Sequence, residues 1–147
     1  MRKTLLLAAG LAMTTLFTPV IAENATRVDG YAIHHNAMTT DTLTPRIAKA
    51  YNIQRSKNRG MLNVSVIKES PDTTGKAVKA EVKANATNLA GQTRSLDLRE
   101  IHDGDAIYYI GEMRVSNQET VDFRLEVKPE GADKTYRAKF TQTFYTE

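Results

Sequence analysis

Cysteine is absent from the 147-residue sequence. Disulfides, thiolate metal sites, iron–sulfur clusters and cysteine nucleophiles are therefore excluded. Without covalent cross-links the fold must be held by a hydrophobic core, and a chain of this length can bury enough apolar surface to form one. Long apolar runs are also missing after the N-terminal stretch, so we expect no membrane-spanning helix in the rest of the chain.

The N-terminal stretch has the pattern of a secretory signal peptide. Arg2 and Lys3 carry positive charge, an apolar run follows, and small or modest residues lead up to Ala22. The apolar run is shorter than the roughly 20 residues that a spanning helix needs. We therefore predict that residues 1–22 are cleaved after Ala22 and that residues 23–147 form one exported domain.

The net charge of the chain is small. Loss of two basic and no acidic residues with the signal peptide lowers the formal charge from +3 to +1. Nucleic-acid binding depends on many contacts between basic side chains and phosphates. A nearly neutral exported domain is therefore not expected to bind nucleic acid.

Alternation of apolar and polar residues dominates the mature chain. Residues 76–86 place their apolar side chains on one face only, which is typical of a strand with one buried face. Residues 60–68 are apolar on both faces and are predicted to form an inner strand. A turn at residues 69–75 joins the two segments, so we predict that they pair as a hairpin on which the fold is centred.

Further strands are predicted on either side of this hairpin, at residues 30–38, 93–101, 106–114, 120–128 and 134–145. Turns recur about every 8–12 residues, as in sandwiches and small barrels. No long helix alternates with the strands, which disfavours a parallel sheet. The prediction is an all-β fold, an immunoglobulin-like antiparallel sandwich of about seven strands with one short helix near the N-terminus.

The helix is predicted to begin after Thr44, a good N-cap, with Pro45 at the first helical position. Apolar residues follow at helical spacing, and Asn52 can end the helix. We expect about two turns, packed over an open end or an edge of the sheet because so short a helix is marginal alone.

The most suggestive functional segment is basic and lies in a connection between elements. Its long or amide-bearing donors are Arg55, Lys57, Asn58 and Arg59. Loops carry function more often than cores do, and arginine side chains bind carboxylates or phosphates in a two-pronged geometry. The alternative is that these residues pair with the protein's own acids, such as Glu100 or Asp103, or lie in water.

Histidine offers a second candidate site. His34 and His35 are adjacent in a predicted strand, so their side chains are expected on opposite faces. His102 lies in a tight turn that is distant in sequence. A metal-handling protein that uses His34 or His35 with methionines is therefore an alternative function, although the spacing favours one packed and one exposed histidine.

Catalytic motifs are not evident. The sequence has neither a Gly-x-Ser-x-Gly elbow nor a Walker loop, and Ser65 and Lys68 match a Ser-x-x-Lys pattern in a strand rather than at a helix start. We predict no catalytic residue and no cofactor, hence not an enzyme. A hydrolase that brings His35 near Ser65 or Asp97 stays open, since such sites are defined by geometry.

Eight short segments carry a family resemblance: His35-Asn36-Ala37, Leu43-Thr44-Pro45, Ala50-Tyr51, Arg55-Ser56-Lys57-Asn58-Arg59, Leu62-Asn63-Val64-Ser65-Val66, Ala86-Thr87-Asn88-Leu89, Ala106-Ile107-Tyr108-Tyr109 and Phe144-Tyr145-Thr146-Glu147. On these segments, essentially the whole mature chain resembles a domain-of-unknown-function family of small exported proteins of Gram-negative bacteria. The resemblance implies a periplasmic location and a β-sandwich. It implies no activity, cofactor or catalytic residue.

The functional prediction from the sequence is a non-enzymatic periplasmic binding or accessory module. Its basic loop, Arg55, Lys57, Asn58 and Arg59, is predicted to contact an acidic partner, which we expect to be a protein. Metal handling through His34 or His35, and hydrolysis at a site without a motif, are the alternatives.

Overall fold

A computed structural model describes residues 24–147. The predicted signal peptide, residues 1–22, and its cleavage site lie outside the described residues. In chain order the elements are β1 (Ala25–Val28), β2 (Tyr31–Thr39), a 3₁₀ turn (Thr40–Thr42), α1 (Pro45–Ala50), β3 (Arg59–Lys68), β4 (Lys76–Ala77), β5 (Ala80–Asn88), β6 (Thr93–Leu96), β7 (Arg99–Asp103), β8 (Ala106–Arg114), β9 (Glu119–Pro129) and β10 (Tyr136–Phe144). Neither helical segment in this part of the chain has the length and apolarity to cross a membrane.

The strands form two antiparallel sheets. The first sheet has the order β1-β2-β3-β8-β7, with the short β4 beside β3. The second sheet has the order β10-β9-β5-β6. The predicted all-β sandwich with one short helix is confirmed, and the chain passes several times between the two sheets.

The main core lies between the sheets. From the second sheet, β9 contributes four side chains that are each at most 1% exposed: Val121, Phe123, Leu125 and Val127. From the first sheet, β3 contributes Leu62, Val64 and Val66, which are equally buried. These are the alternate positions that the sequence pattern assigned to the interior, so the period of two residues correctly predicted which faces are buried.

The predicted central hairpin is wrong in its second arm. Of the predicted second arm, only the two residues of β4 pair with β3. The chain then crosses to the second sheet, where β5 pairs with β9 along its whole length. The crossing is held by hydrogen bonds from the Val78 amide to the Val66 carbonyl (2.9 Å) and from the Ala80 amide to the Tyr109 hydroxyl (2.8 Å). The alternation of apolar residues in β5 predicts that one of its faces is buried, but it does not predict which of the two sheets contains the strand.

Residues 93–101 were also predicted to form a single strand, but they belong to two strands, β6 and β7. β6 pairs with β5 in the second sheet, whereas β7 pairs with β8 in the first. The crossing passes close to Gly111, where an added Cβ would lie 2.7 Å from a methyl carbon of Leu98. Such crossings, together with the extra N-terminal strand β1, explain why ten strands appear in residues 24–147 where about seven were predicted.

The helix forms as the sequence indicates. The Thr44 hydroxyl accepts a hydrogen bond from the Ile47 amide (3.3 Å), and Pro45 occupies the first turn. Asn52 has a φ of 54°, the left-handed conformation that ends helices. The helix end contacts the outer face of the first sheet on β8 and on β7, which is the edge strand of that sheet.

Contacts of Tyr51 and its neighbours attach the helix to that face. The Tyr51 hydroxyl donates to the Asp103 carboxylate (2.7 Å), and the Arg99 guanidinium donates to the Tyr51 carbonyl (3.0 Å). Beneath them, Ile53 packs with Met61 and Ile110 in a second, smaller apolar cluster. This packing stabilises a helix that is too short to be stable alone.

Gly60 allows the two sheets to meet closely at one end of the sandwich. A Cβ on Gly60 would lie 2.9 Å from a methyl carbon of Val115 and 3.1 Å from the Phe144 ring. Gly60 belongs to β3 in the first sheet and Phe144 to β10 in the second. The absence of a side chain at residue 60 therefore sets how tightly this end of the sandwich closes.

We predict that Gly60→Ala destabilises the protein by about 1–3 kcal/mol, the usual cost of overpacking a core. In chemical denaturation, Val115→Ala should also destabilise because it leaves a cavity. The double variant should be more stable than the sum of the two effects predicts, since removal of the valine methyls makes room for the new Cβ. Strictly additive effects would contradict the contact.

His35 is a titratable residue inside the core. It is 8% exposed, stacks on Phe140 with ring centroids 4.6 Å apart, and shares a hydrogen bond with the Thr26 hydroxyl through Nε2 (3.2 Å). Its buried Nδ1 has no hydrogen-bond partner among the described residues. Burial lowers the pKa of His35 below 6.5, because the charged imidazolium loses its hydration.

The lowered pKa predicts a pH-dependent stability. The unfolded chain takes up a proton at His35 as the pH falls through about 6.5, before the folded protein does, so the free energy of unfolding should fall below that pH. His35→Gln should reduce this slope in urea titrations across about pH 5–7.5. His34→Gln, at the exposed neighbour, should retain the slope, and equal slopes in wild type and His35→Gln would contradict the assignment.

Candidate functional site

The predicted basic segment lies between α1 and β3, where one buried threonine fixes its path. The Thr40 hydroxyl is within hydrogen-bond distance of the carbonyls of Gln54 (2.8 Å) and Ser56 (3.2 Å) and accepts from the Ser56 amide (2.9 Å). Thr40 is fully buried. The loop is therefore anchored on its inner side, while Lys57 and Asn58 remain exposed.

Two of the four predicted binding residues make internal contacts through their side chains. The Arg55 guanidinium donates to the Asp41 carbonyl (2.9 Å), which ties the loop to the 3₁₀ turn. Arg59 lies 3.5 Å from a carboxylate oxygen of Glu112, whose other oxygen lies 3.7 Å from Arg99. Arg59 thus pairs with an acid of its own chain, although with Glu112 rather than with Glu100 or Asp103.

Next to this loop is a polar cleft of about 810 Å³ at one end of the sandwich. It contains Asn58 and Arg59 from the predicted segment. Gln54 and Ser56 of the same connection also line it. The other lining residues come from loops and strand ends distant in sequence: Asn88, Gln92, Arg94, Arg114, Val115, Ser116, Asn117, Glu119, Thr146 and Glu147. We call this site the arginine cleft, after Arg59, Arg94 and Arg114.

The three arginines are concentrated by the strand register. Arg59 on β3 is directly opposite Arg114 on β8, so the two side chains lie on the same face of the first sheet. Arg94 donates to the Arg114 carbonyl (3.4 Å) and lies 3.9 Å from Glu119. The guanidinium of Arg114 is exposed and has no acidic partner within residues 24–147.

Amide side chains line the cleft between the arginines and the chain end. The Asn88 side-chain oxygen accepts from the backbone amides of Ala90 (3.1 Å) and Gln92 (3.0 Å), and its side-chain nitrogen donates to the Gln92 side-chain oxygen (2.8 Å). The Asn117 side-chain oxygen accepts from the Thr146 amide (3.0 Å). These contacts occupy the side-chain oxygens of Gln92 and Asn117 and leave their nitrogens, within residues 24–147, as unpaired N–H donors.

The sequence did not predict Arg94 or Arg114. Each is a single charged residue on a strand, with no neighbouring basic residue that would distinguish it from an ordinary solvated side chain. Their significance comes from the pairing of β3 with β8 and from the β5–β6 turn. No local sequence signal could have identified them.

The histidine candidates are not brought together. His34 is exposed on the outer face of β2, opposite Ser65 of β3, while His35 is buried on the inner face. The suggested pairing of His35 with Ser65 is therefore wrong, because the two side chains lie on opposite faces of the first sheet. His35 contacts Thr26 and Phe140 instead.

The methionines do not supply a donor set for either histidine. Met38 and Met61 lie in the smaller apolar cluster. Met113 lies in the main core and pairs with Gly60, whereas His35 pairs with Val64, four residues further along β3. In residues 24–147 there is no group of three or more His, Asp or Glu side chains placed to hold a metal ion. The described side chains therefore do not fit the predicted histidine–methionine site.

His102 forms a separate polar cluster at an edge of the first sheet. Its Nε2 lies 2.5 Å from a carboxylate oxygen of Glu100, and the Tyr109 hydroxyl donates to the other oxygen (3.2 Å). The hydrogen bond with His102 lowers the pKa of Glu100. Because Tyr109 also accepts from the Ala80 amide, the cluster joins the two sheets and has a structural explanation.

Comparison with solved structures identifies similar folds. The chain is similar to a DUF4426 family protein of Pseudomonas aeruginosa, with 27% identity, a TM-score of 0.71, and coverage of 82% of this chain and 93% of that one. It also shares its fold with FetP of uropathogenic Escherichia coli, at 7% identity and a TM-score of 0.60 over 82% and 92% of the two chains. A copper-bound variant of FetP has 8% identity and a TM-score of 0.60 over 84% and 95%.

No curated protein sequence matches the chain. The family model for the domain of unknown function DUF4426 matches residues 25–147, which is nearly all of the part described by the structure. The resemblance deduced from the sequence to a domain-of-unknown-function family is thus confirmed. The chain belongs to the DUF4426 family.

Proposed function

We propose that this protein is a non-enzymatic periplasmic binding module and that its binding surface is the arginine cleft. The periplasmic location follows from the secretory pattern of residues 1–22 and agrees with the fold shared with FetP, which was expressed in the periplasm. The partner is acidic and is contacted by Asn58, Arg94 and Arg114, with Lys57 beside them.

The direct opposition of Arg59 and Arg114 is the observation that carries this proposal. Like charges opposite each other on adjacent strands destabilise a sheet. Glu112 compensates the charge of Arg59, but no acid in residues 24–147 compensates that of Arg114. A carboxylate of a partner, bound between Arg114 and Arg94, would remove the repulsion and form charge-assisted hydrogen bonds.

The four residues predicted from the sequence take different parts in this proposal. Lys57 and Asn58 are exposed and available to a partner. Arg59 adds positive charge to the cleft while it remains paired with Glu112. Arg55 positions the loop through its hydrogen bond to the Asp41 carbonyl. Arg55→Ala should therefore act on binding only indirectly, by loosening the loop.

The proposal can be tested by photo-crosslinking in the native periplasm with the probe at Lys57, an exposed position between two lining residues. We expect one dominant protein adduct, identified by mass spectrometry. The double variant Arg94→Ala/Arg114→Ala should reduce its yield about tenfold or more, because forked contacts with carboxylates are lost.

Arg124→Ala is the matched control, since Arg124 is an exposed strand arginine on the outer face of the second sheet. It should leave the adduct unchanged. No adduct at Lys57 in normally exported protein, or an adduct that is insensitive to the double variant, would contradict the proposed site.

Metal handling is the second candidate, and the fold shared with a copper-bound FetP variant is the observation that favours it. Against it, Met38 lies on the face of His34 but four residues along β2. Met113 lies on the face of His35 but at the level of Gly60, four residues along β3 from the position paired with His35. We therefore do not expect stoichiometric binding of copper or zinc at His34 or His35.

Metal analysis of untagged protein after saturation and desalting provides the test. Copper and zinc should be well below one equivalent. Retention of a full equivalent that is lost in His34→Gln or His35→Gln would instead establish the metal-handling function.

A further inference from the structure

We propose that the arginine cleft takes an extended segment of a partner protein in which acidic side chains are adjacent to apolar ones. This inference rests on the proposed function, because it specifies the ligand of the same cleft. Its support comes from two features: the exposed apolar residues beside the cleft, whose separation sets the extent of the surface, and the unpaired donors inside.

Two large apolar side chains are exposed at positions next in sequence to residues that line the cleft. Leu89 is 81% exposed and Tyr145 is 66% exposed, and the only other exposed large apolar residue in residues 24–147, Ile47, is 41% exposed. Leu89 follows the lining residue Asn88, and Tyr145 precedes the lining residue Thr146. A single exposed leucine is ordinary on a protein surface. An exposed tyrosine near an unpaired arginine is less so, because Tyr and Arg are enriched among the residues that dominate binding interfaces.

Several N–H donors in the cleft have no partner in residues 24–147, alongside the carboxylates of Glu119 and Glu147 that also line it. The side-chain nitrogens of Gln92 and Asn117 have no hydrogen-bond partner within the described residues, whereas the oxygens of both side chains are occupied. The Arg114 guanidinium adds further unpaired donors. A polypeptide segment supplies matching acceptors in its backbone carbonyls as well as in its carboxylates.

The extent of the surface favours a polypeptide over a small anion. A phosphate or a single carboxylate would contact the arginines and leave Leu89 and Tyr145 in water. In the second sheet β9 lies between β5, which leads to Leu89, and β10, which leads to Tyr145. A ligand that contacts both residues must therefore span two strand spacings, about 10 Å. An extended chain covers that distance with about three residues.

Selection of a random peptide library displayed on phage, with the mature protein as bait, tests the inference. We expect the enriched peptides to combine Glu or Asp with an apolar residue within a few positions. A soluble consensus peptide, measured by fluorescence anisotropy, should bind Arg114→Ala about tenfold more weakly. Leu89→Ser and Tyr145→Ser should each weaken binding several-fold without loss of stability, because both side chains are exposed.

The outcomes separate this inference from the proposed function. Binding that depends on Arg114 but not on Leu89 or Tyr145, or complete displacement of the peptide by equimolar citrate, would overturn the polypeptide inference and keep an anion-binding cleft. Binding that is equal in Arg114→Ala and in the Arg124→Ala control would contradict the cleft itself. Absence of any enriched peptide, with the bait folded, would also overturn the inference.

Discussion

The close packing of Phe144 and Val115 onto Gly60 is the contact on which the rest of this molecule depends. It joins the last strand of the second sheet to the central strand of the first, at a distance that a Cβ on residue 60 would crowd. Arg59 immediately precedes Gly60, and the chain end immediately follows Phe144. The contact that closes the core therefore also brings the candidate site together.

Passage of the chain between the sheets explains why the arginine cleft is assembled from distant segments. The connection after β8 places residues 115–118 between Arg114 in the first sheet and Glu119 in the second. The β5–β6 turn of the second sheet adds Asn88 and Gln92 to the lining of the cleft. Because the cleft lies on strand ends and anchored loops, its geometry is set by the rigid sandwich.

Sequence reasoning predicted faces and local signals well. Alternation in β9 and β5 identified which side chains are buried, and Thr44 with Pro45 located the helix, because these features depend on neighbouring residues alone. It could not assign β5 to the second sheet, since alternation does not specify a partner strand. Asn58 and Arg59, which line the cleft, stand out in the sequence because they belong to a basic loop segment. Arg114 does not, because its position opposite Arg59 follows from the pairing of β3 with β8.

The central claim is that an acidic partner binds at the end of the sandwich closed by Gly60. Two-dimensional NMR of the ¹⁵N-labelled mature protein, titrated with a synthetic peptide in which glutamate alternates with leucine, tests it most directly. The account predicts amide shifts grouped at residues 54–59, 88–94, 114–119 and 144–147, with little change elsewhere. Shifts centred on the outer face of the second sheet around Arg124, or on the His102 edge, would contradict it.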